Sequence, residues 1–483
     1  MSESELHPVI GLEVHCQLLT QTRLFSGGPV DFGASANRRV TAYDIGLPGQ
    51  LPVLNRRAVD LALRVGLALG CTIHSRSRFD RKHYFYPDLP KGYQITQQRR
   101  PLCTGGRLKF DHNGRECELA LRRIHLEEDA AKSVYDSDAE QTLIDFNRAG
   151  VPLIEVVTQP ELSDPEQAES ALRELHRLVV HLGVCDGNMQ EGSFRCDANI
   201  SLRRVGSGEP LPSPGPRVEV KNLNSFRFVR RALQTEEKRL RKLGEQRRQS
   251  AADQTRSYDP KRDRTQLMRT KETSPDYRYV PDPDLPALRV SYDRLRQVHE
   301  ELPELPRQRQ RRWCEQFKLD AQNAATLVDP PQRARFFEQA VDAYPEDPVA
   351  VANFVVNELL GHVGEETVAD LDITPGEVAE IVAMVDDGTI SSSAASKVLP
   401  EVLRSADSPR KLVEHLDLEQ LSDERHLGGL IDEILEQNPT LVQRYRDGER
   451  KLFGHFMGQV MQASSGRADP KIASEILRDR LEP

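Results

Sequence analysis

The chain has 483 residues, a formal charge of −9 and a mean hydropathy of −0.57. With 38% hydrophobic and 29% charged residues it has the composition of a globular protein, long enough for two to four domains of roughly 100–200 residues. No run approaches the ~18 apolar residues that span a bilayer, and the opening MSESELHPVIGLEVH lacks the basic and apolar regions of a secretory signal; the sequence therefore speaks against membrane, secreted and disordered classes and for a cytoplasmic protein.

In chain order, the first clear element is Ile10–Leu18, where Leu12, Val14, Cys16 and Leu18 fall on one strand face and Glu13, His15 and Gln17 on the other. Asn55–Leu69 carries Ala58, Leu61, Ala62, Val65 and Leu69 at helical spacing. His83–Gln94 is an aromatic loop with Pro and Gly, and Leu153–Thr158 reads as a buried strand holding one carboxylate, Glu155. Ser163–Leu182 is a helix with Ser163 and Glu166 at capping-box spacing and a stop at Gly183. Arg195–Leu202 and Arg217–Lys221 alternate again, with Asp197 on the polar face of the former. Phe226–Ser250 is strongly basic, which fits either a solvated helix face or contact with a nucleic-acid backbone. Asp276–Leu285 is Pro-rich and extended.

Near residue 294 the character changes to short helices between Pro and Gly breaks: Ala321–Leu327, Pro348–Leu360, Pro375–Val385, Ser393–Leu403 and Pro439–Met461, with Gly364 among the breakers. A second shift lies near Ser405–Pro409. Strands and helices mix without a regular βαβ alternation, so the fold class is α+β, with domains 1–293, 294–407 and 408–483, the last two all-α.

Seven scattered cysteines with no CxxC pair point to reduced thiols and not to a zinc site. No GxxxxGK[ST] loop is present, and no GxGxxG follows a strand, so phosphate chemistry would need carboxylates and metal ions. The ingredients exist. Glu13 and His15 point the same way from one strand, His125–Asp129 concentrates three carboxylates, Glu155 sits among apolar residues, and Asp197 lies on a polar strand face. If these strands converge, the set would hold Mg²⁺, which prefers oxygen ligands. Scattered surface acids and a core histidine are the competing reading. Ser391–Ser393 with Lys397 reads as a helix cap, His176 and His181 miss the spacing of a helical metal pair, and Trp313 reads as a core anchor.

The blocks VIGLEVHCQL (9–18), YFYPDLPKGYQIT (84–96), LEEDAAKS (126–133), DFNRAGVPLIEVVTQP (145–160), MQEGSFRCDANISL (189–202), VEVKNLNSF (218–226) and MRTKETSPDYRYVPDPDL (268–285) occur in order, and the tail KLFGHFMGQVMQASSGRADP (451–470) follows. Together they resemble the B subunits of bacterial tRNA-dependent amidotransferases, which convert Glu-tRNA(Gln) or Asp-tRNA(Asn) to the amide. The resemblance implies a first domain shaped as a cradle, related to glutamine synthetase and guanido kinases, that binds ATP and Mg²⁺ and phosphorylates the tRNA-linked carboxylate. It implies a metal and catalytic set of Glu13, His15, Glu127 or Glu128, and Glu155, with Asp197 nearby. Lys82, Glu128 and Tyr84 are expected at the exit of an ammonia channel. Tyr86, Asp88, Lys91, Arg148, Arg195, Lys221 and Asn222 are further candidates for contacting ATP, substrate or ammonia. The implied partners are an amidase-type glutaminase A subunit, a small C subunit and misacylated tRNA, the last gripped by the helical and tail domains. The whole would be a glutamine-dependent carbon–nitrogen ligase.

The chain lacks the Gly-Ser-Ser-Gly amidase signature, so ammonia must come from a partner. It departs from the family at Gln97–Arg100, at Asp253 and at Val280, all outside the metal set. A noncatalytic tRNA-holding scaffold is the alternative, but a scaffold has no need for Glu13, His15, Glu128 and Glu155 together. An archaeal E-type relative would need a large insertion for which the chain leaves no room.

Overall fold

Period-two alternation becomes a ten-stranded sheet in the first of two compact units, residues 1–305 and 306–483. The computed structural model describes residues 5–31, 33–136, 140–205, 215–243, 252–271, 277–362, 368, 371–405, 407–420, 424–464 and 466–482. Gly364, Asp276 and residues 244–250 of the basic run lie outside these.

The long strand Glu5–Gln17 occupies the middle of the sheet. On one side it pairs antiparallel with Pro152–Thr158, which pairs antiparallel with Arg115–Glu128. On the other it pairs antiparallel with Phe194–Val205, which leads through Val218–Leu223 to Asp253–Asp259 and the edge strand Arg264–Lys271. Only the Val218–Leu223 and Asp253–Asp259 pair is parallel among these.

One face of the sheet is apolar. Leu12, Val14, Cys16, Ile154, Val156, Ile124, Ala198, Ile200 and Val220 are buried there in one continuous core. The helices Pro165–His181 and Phe226–Lys242 pack against this sheet and against each other, and Arg56–Ala68 packs against the Arg115–Glu128 strand. Each fully buried aliphatic side chain contributes about 1.5–3 kcal/mol, so this layer is what fixes the other, polar face.

Local sequence sets the helix ends. Asn55 caps Arg56–Ala68 by accepting from the amides of Arg57 and Ala58. Pro165–His181 is capped by Asp164, which accepts from Gln167 N at 2.6 Å, and not by the Ser163–Glu166 box expected from spacing; Ser163 instead gives its amide to the Gln167 side chain. A Gly183 with φ of +62° ends it. On the basic helix, Arg230, Arg231 and Arg241 pair with Glu169, Asp263 and Glu237, and Arg239 with the buried Glu236. The described part of this run is therefore largely a paired, solvated face.

The first unit continues past the composition change at residue 293. The helix Tyr292–Glu300 packs on Arg56–Ala68, and Arg294 and Glu301 form ion pairs with Asp60 and Arg64 of that helix at 2.7 and 3.1 Å.

The regular elements described in the second unit are all helical; its β-type pairing is confined to isolated bridge residues, among them Ile390 opposite Glu419. It has two apolar cores. One gathers around the fully buried Trp313, with Phe337 packed edge-on at 4.9 Å, and reaches Leu412 and Val413; the other runs from Leu427 to Leu481. The helix at Pro375–Asp386 carries the reciprocal Thr374–Glu377 capping box. Ser391 caps Ser392–Val402 by accepting from Ala394 N, as its spacing suggested. The single helix expected over Pro439–Met461 is two, Pro439–Arg446 and Leu452–Ala463, interrupted at Gly448 with φ of +112°.

Candidate functional site

Strand register assembles the polar face. His15 stands opposite Glu155, and Glu155 opposite His125, so three antiparallel strands place two imidazoles and a carboxylate in one row. Glu127 follows two residues after His125 on the same face. His15 Nε2 lies 3.6 Å from Glu155 and 3.7 Å from Glu127; His125 Nε2 lies 3.5 and 3.7 Å from the same two carboxylates. One ligand atom each from His15, Glu127 and Glu155 falls within a 4.8 Å group.

A second row adjoins it. Glu13 stands opposite Asp197, and Asn199 opposite Glu219. Asn199 donates to Glu13 at 3.2 Å, Lys221 pairs with Asp197 and with Glu219 at 2.9 Å, and Thr255 donates to Glu219 at 3.1 Å. Both rows floor one cavity of about 650 Å³, walled by Lys82, Tyr84, Tyr277 and Tyr279 and rimmed by arginines including Arg122 and Arg123.

Electrostatics follow from this crowding. Burial raises the Glu13 carboxyl, and the nearby Glu155, Glu219 and Asp197 raise it further. Burial alone would lower His15, but its close contact with the Glu155 carboxylate and the charges of Glu155, Glu127 and Asp197 outweigh that and push it up to about 9. Burial likewise opposes ionisation of Glu155, and is outweighed by His125, His15 and Lys82, which hold it well below the usual carboxylate range. Asp129 is buried yet held low by Arg195, 3.0 Å away, and by Arg148; Gln17 donates to it at 2.7 Å.

Not every expected residue belongs here. Glu128 does not join the set that faces the cavity. It follows Glu127 and so takes the opposite face of the strand, where both its oxygens accept from Lys91 Nζ at 2.6 Å and Oε1 accepts from Ile95 N at 3.0 Å. Of Glu127 and Glu128, strand parity puts only Glu127 on the cavity face, and Lys91 lies with Glu128 outside it. Lys82 and Tyr84 line the cavity, whereas Tyr86 is 64% exposed and Asp88 lies in the turn after it, its carbonyl accepting from Ala131 N. Arg195 and Lys221 line the cavity; Asn222, at φ of +64°, turns away and donates to Tyr258 O. Arg148 donates to the carbonyls of Ala130 and Ala131 and lines a neighbouring cavity of about 520 Å³.

Sequence reasoning singled out no role for His125 and missed Glu219 and Arg269, which also line the cavity; Asp129, counted among the acids of its stretch, lines it too. The signal for His125 was its place two residues before Glu127. His176 and His181 bond to the carbonyls of Gly187 and Glu304, far from any metal geometry. Gln97, a departure from the family pattern, is fully buried between Ser77 Oγ and Leu126 N. Val280 is half-exposed on a short strand beside Arg81.

A sheet-floored cavity with imidazoles and carboxylates facing lysines and arginines marks the first unit as a domain for a charged ligand. Residues 8–296 match the family described as the GatB/GatE catalytic domain, and residues 335–481 the GatB domain. Proteins named as the B subunit of an aspartyl/glutamyl-tRNA(Asn/Gln) amidotransferase are similar over the full length: that of Persephonella marina is 42% identical across 99% of this chain and 100% of its own, and that of Synechococcus sp. (strain JA-3-3Ab) 43% across 99% and 98%. That of Anaeromyxobacter dehalogenans (strain 2CP-C) is 44% identical across 100% of both. The chain belongs to this family of amidotransferase B subunits. No helix among the described residues is long and apolar enough to cross a membrane.

Proposed function

We propose that the first unit uses ATP to activate the side-chain carboxylate of a misacylated Glu-tRNA(Gln) or Asp-tRNA(Asn), and that ammonia from a glutaminase partner then amidates it. The observation that carries this reading is the convergence of His15, Glu127 and Glu155 within 4.8 Å, beside the Glu13–Asp197 row. Two carboxylates and an imidazole, with further acids adjoining, suit a hard divalent cation, so the donor set fits Mg²⁺. When bound, such an ion would neutralise charge on the ATP phosphates.

The chain's own groups do the rest. A carboxylate is a poor electrophile; transfer of the γ-phosphoryl makes an acyl phosphate, and ammonia displaces phosphate from it. Lys82 and Lys221 would orient anionic oxygens above the acidic floor. The tyrosine wall keeps bulk water from the acyl phosphate. Asp129, held between Gln17, Arg195 and Arg148, supplies a fixed negative charge at the cavity's end. The sheet backed by helices serves as the cradle related to glutamine synthetase and guanido kinases, and the second unit holds tRNA. An amidase-type A subunit and a small C subunit complete a cytoplasmic ligase.

The test is reconstitution with both partner subunits, ATP, glutamine and each misacylated tRNA, reading the amidated aminoacyl-tRNA. Glu155→Ala is expected to reduce amide formation to background while tRNA binding persists; full activity in that variant refutes the site.

A further inference from the structure

Four tyrosines form a continuous row from the cavity to the surface. Tyr279 meets Tyr277 at 6.1 Å between ring centroids, Tyr277 meets Tyr84 at 6.2 Å, and Tyr84 meets Tyr86 at 6.1 Å, each pair edge to face at 65–71°. The rings come from two chain segments far apart in sequence, so the contact is made by the fold. The Lys82 ammonium sits 4.9 Å from the Tyr277 ring and 5.7 Å from the Tyr84 ring, a cation against π-faces inside the cavity wall. The inner three rings are half-buried, whereas Tyr86 is 64% and Phe85 89% exposed.

Arginines share the cavity with the row. Arg122 and Arg123 line the same cavity, Arg123 reaches only the Gln98 carbonyl at 3.4 Å, and its Nε is buried without a hydrogen-bond partner among the described residues. No carboxylate lies within ion-pair distance of either arginine among the described residues. The cavity thus has two chemistries: an acidic floor for a cation and an aromatic, cationic wall.

Aromatic faces flanked by guanidinium groups are the build that holds unpaired nucleotides, with bases stacked on the rings and phosphates against the cations. Resting on the function proposed above, we infer that Tyr277 and Tyr84 stack the unpaired 3′-terminal adenine of the tRNA acceptor strand, with Arg122 and Arg123 against its backbone phosphates. An adenine could also arrive on ATP. The strand end is favoured because the row does not stop in the cavity: Tyr86, in ring contact with Tyr84 and 64% exposed, carries it into solvent, where a polymer continues and a mononucleotide does not. The terminal ribose then lies over the acidic floor, which is where its esterified amino acid must present the carboxylate.

The experiment uses the intact complex with its partner subunits and separates the two adenine sources. In the first arm, without ATP, binding is measured for an acceptor-stem minihelix with and without its terminal adenosine. The unaltered protein is expected to prefer the complete strand by about tenfold or more. Tyr277→Ala should erase that preference and Tyr277→Phe should keep it, since the ring and not the hydroxyl stacks. In the second arm the KM for ATP is measured, and it should change less than about twofold in Tyr277→Ala. A preference that survives Tyr277→Ala, or a rise confined to the KM for ATP, overturns the assignment. Because the binding arm needs no turnover, failure of amide formation would count against the proposed reaction and leave this inference to its own readout.

Discussion

Glu127 and Glu128 are neighbours in the chain and opposites in the structure, which makes them a sharp pair of perturbations. The Glu128 side chain is 3% exposed and its partner Lys91 9% exposed, with the ammonium 2.6 Å from both carboxylate oxygens. Glu128→Ala leaves that ammonium buried with the Tyr43 hydroxyl at 3.3 Å and the Tyr43 and Tyr93 rings at 4.5 and 5.7 Å but no counter-charge from Glu128, and deprives Ile95 N of its acceptor. Removing one partner of a buried pair costs about 3–5 kcal/mol, a large share of the ~5–15 kcal/mol that holds a domain together. At roughly 2 °C per kcal/mol for a unit of this size, the calorimetric transition of the first unit should fall by about 6–10 °C. Replacing both members, Lys91→Met with Glu128→Leu, should recover most of it, because no charge is then stranded. Glu127→Gln, by contrast, relieves a crowded acidic floor; it should leave melting within a degree or two and lower Mn²⁺ or Mg²⁺ affinity at least tenfold. Equal melting losses in the two single variants, or cation binding lost only in Glu128→Ala, would refute the assignment of the two faces.

In the ion-free protein His15 is raised from about 6.5 to about 9, so its contribution to stability is fully present below pH ~6.5 and is lost as pH rises through about 9. A divalent ion held by His15, as proposed above, would have to displace that proton. Its affinity should therefore climb with pH up to about 9, and titration calorimetry in buffers of different ionisation enthalpy should show a proton released, absent in His15→Asn; affinity independent of pH would contradict this. In the second unit, Trp313 is fully buried against Phe337 and donates to Glu338 at 3.2 Å. Trp313→Ala should cost about 3–5 kcal/mol and melt that unit's helices earlier by circular dichroism; an unshifted transition would show that the first of its two cores is not organised around this ring.

Much of the sheet was readable: Ile10–Leu18 and Arg195–Leu202 alternate cleanly and Leu153–Thr158 is a short apolar run, and they overlap the observed strands Glu5–Gln17, Phe194–Val205 and Pro152–Thr158, with Glu13, His15, Asp197 and Glu155 on the polar side. Pairing partners were not readable, because nothing local to His15 says that Glu155 lies opposite. The Arg115–Glu128 strand escaped notice for a different reason. Its end runs Ile124, His125, Leu126, Glu127, Glu128 and Asp129, where polar residues occupy both faces and the alternation that would separate Glu127 from Glu128 is lost. Glu128 breaks the pattern because Lys91, remote in sequence, satisfies it underneath. The Ser163 cap failed because Asp164 beside it is an equally good acceptor, and backbone geometry chose between them. The helix expected over Pro439–Met461 ran on because its apolar spacing survives the break, while Gly448 alone carries the turn.

The polar floor is written in odd numbers and the core beneath it in even ones. Glu13, His15, His125, Glu127, Glu155, Asp197 and Glu219 look one way; Leu12, Val14, Ile124, Leu126, Ile154, Val156 and Ala198 look the other. Loss of a single codon within any of these strands would swap the two sets beyond it, driving carboxylates into the core and aliphatics into the cavity. Such deletions should be far less tolerated here than point substitutions at the same positions, so the reading frame of the strands, as much as the identity of any one acid, is what inheritance must keep.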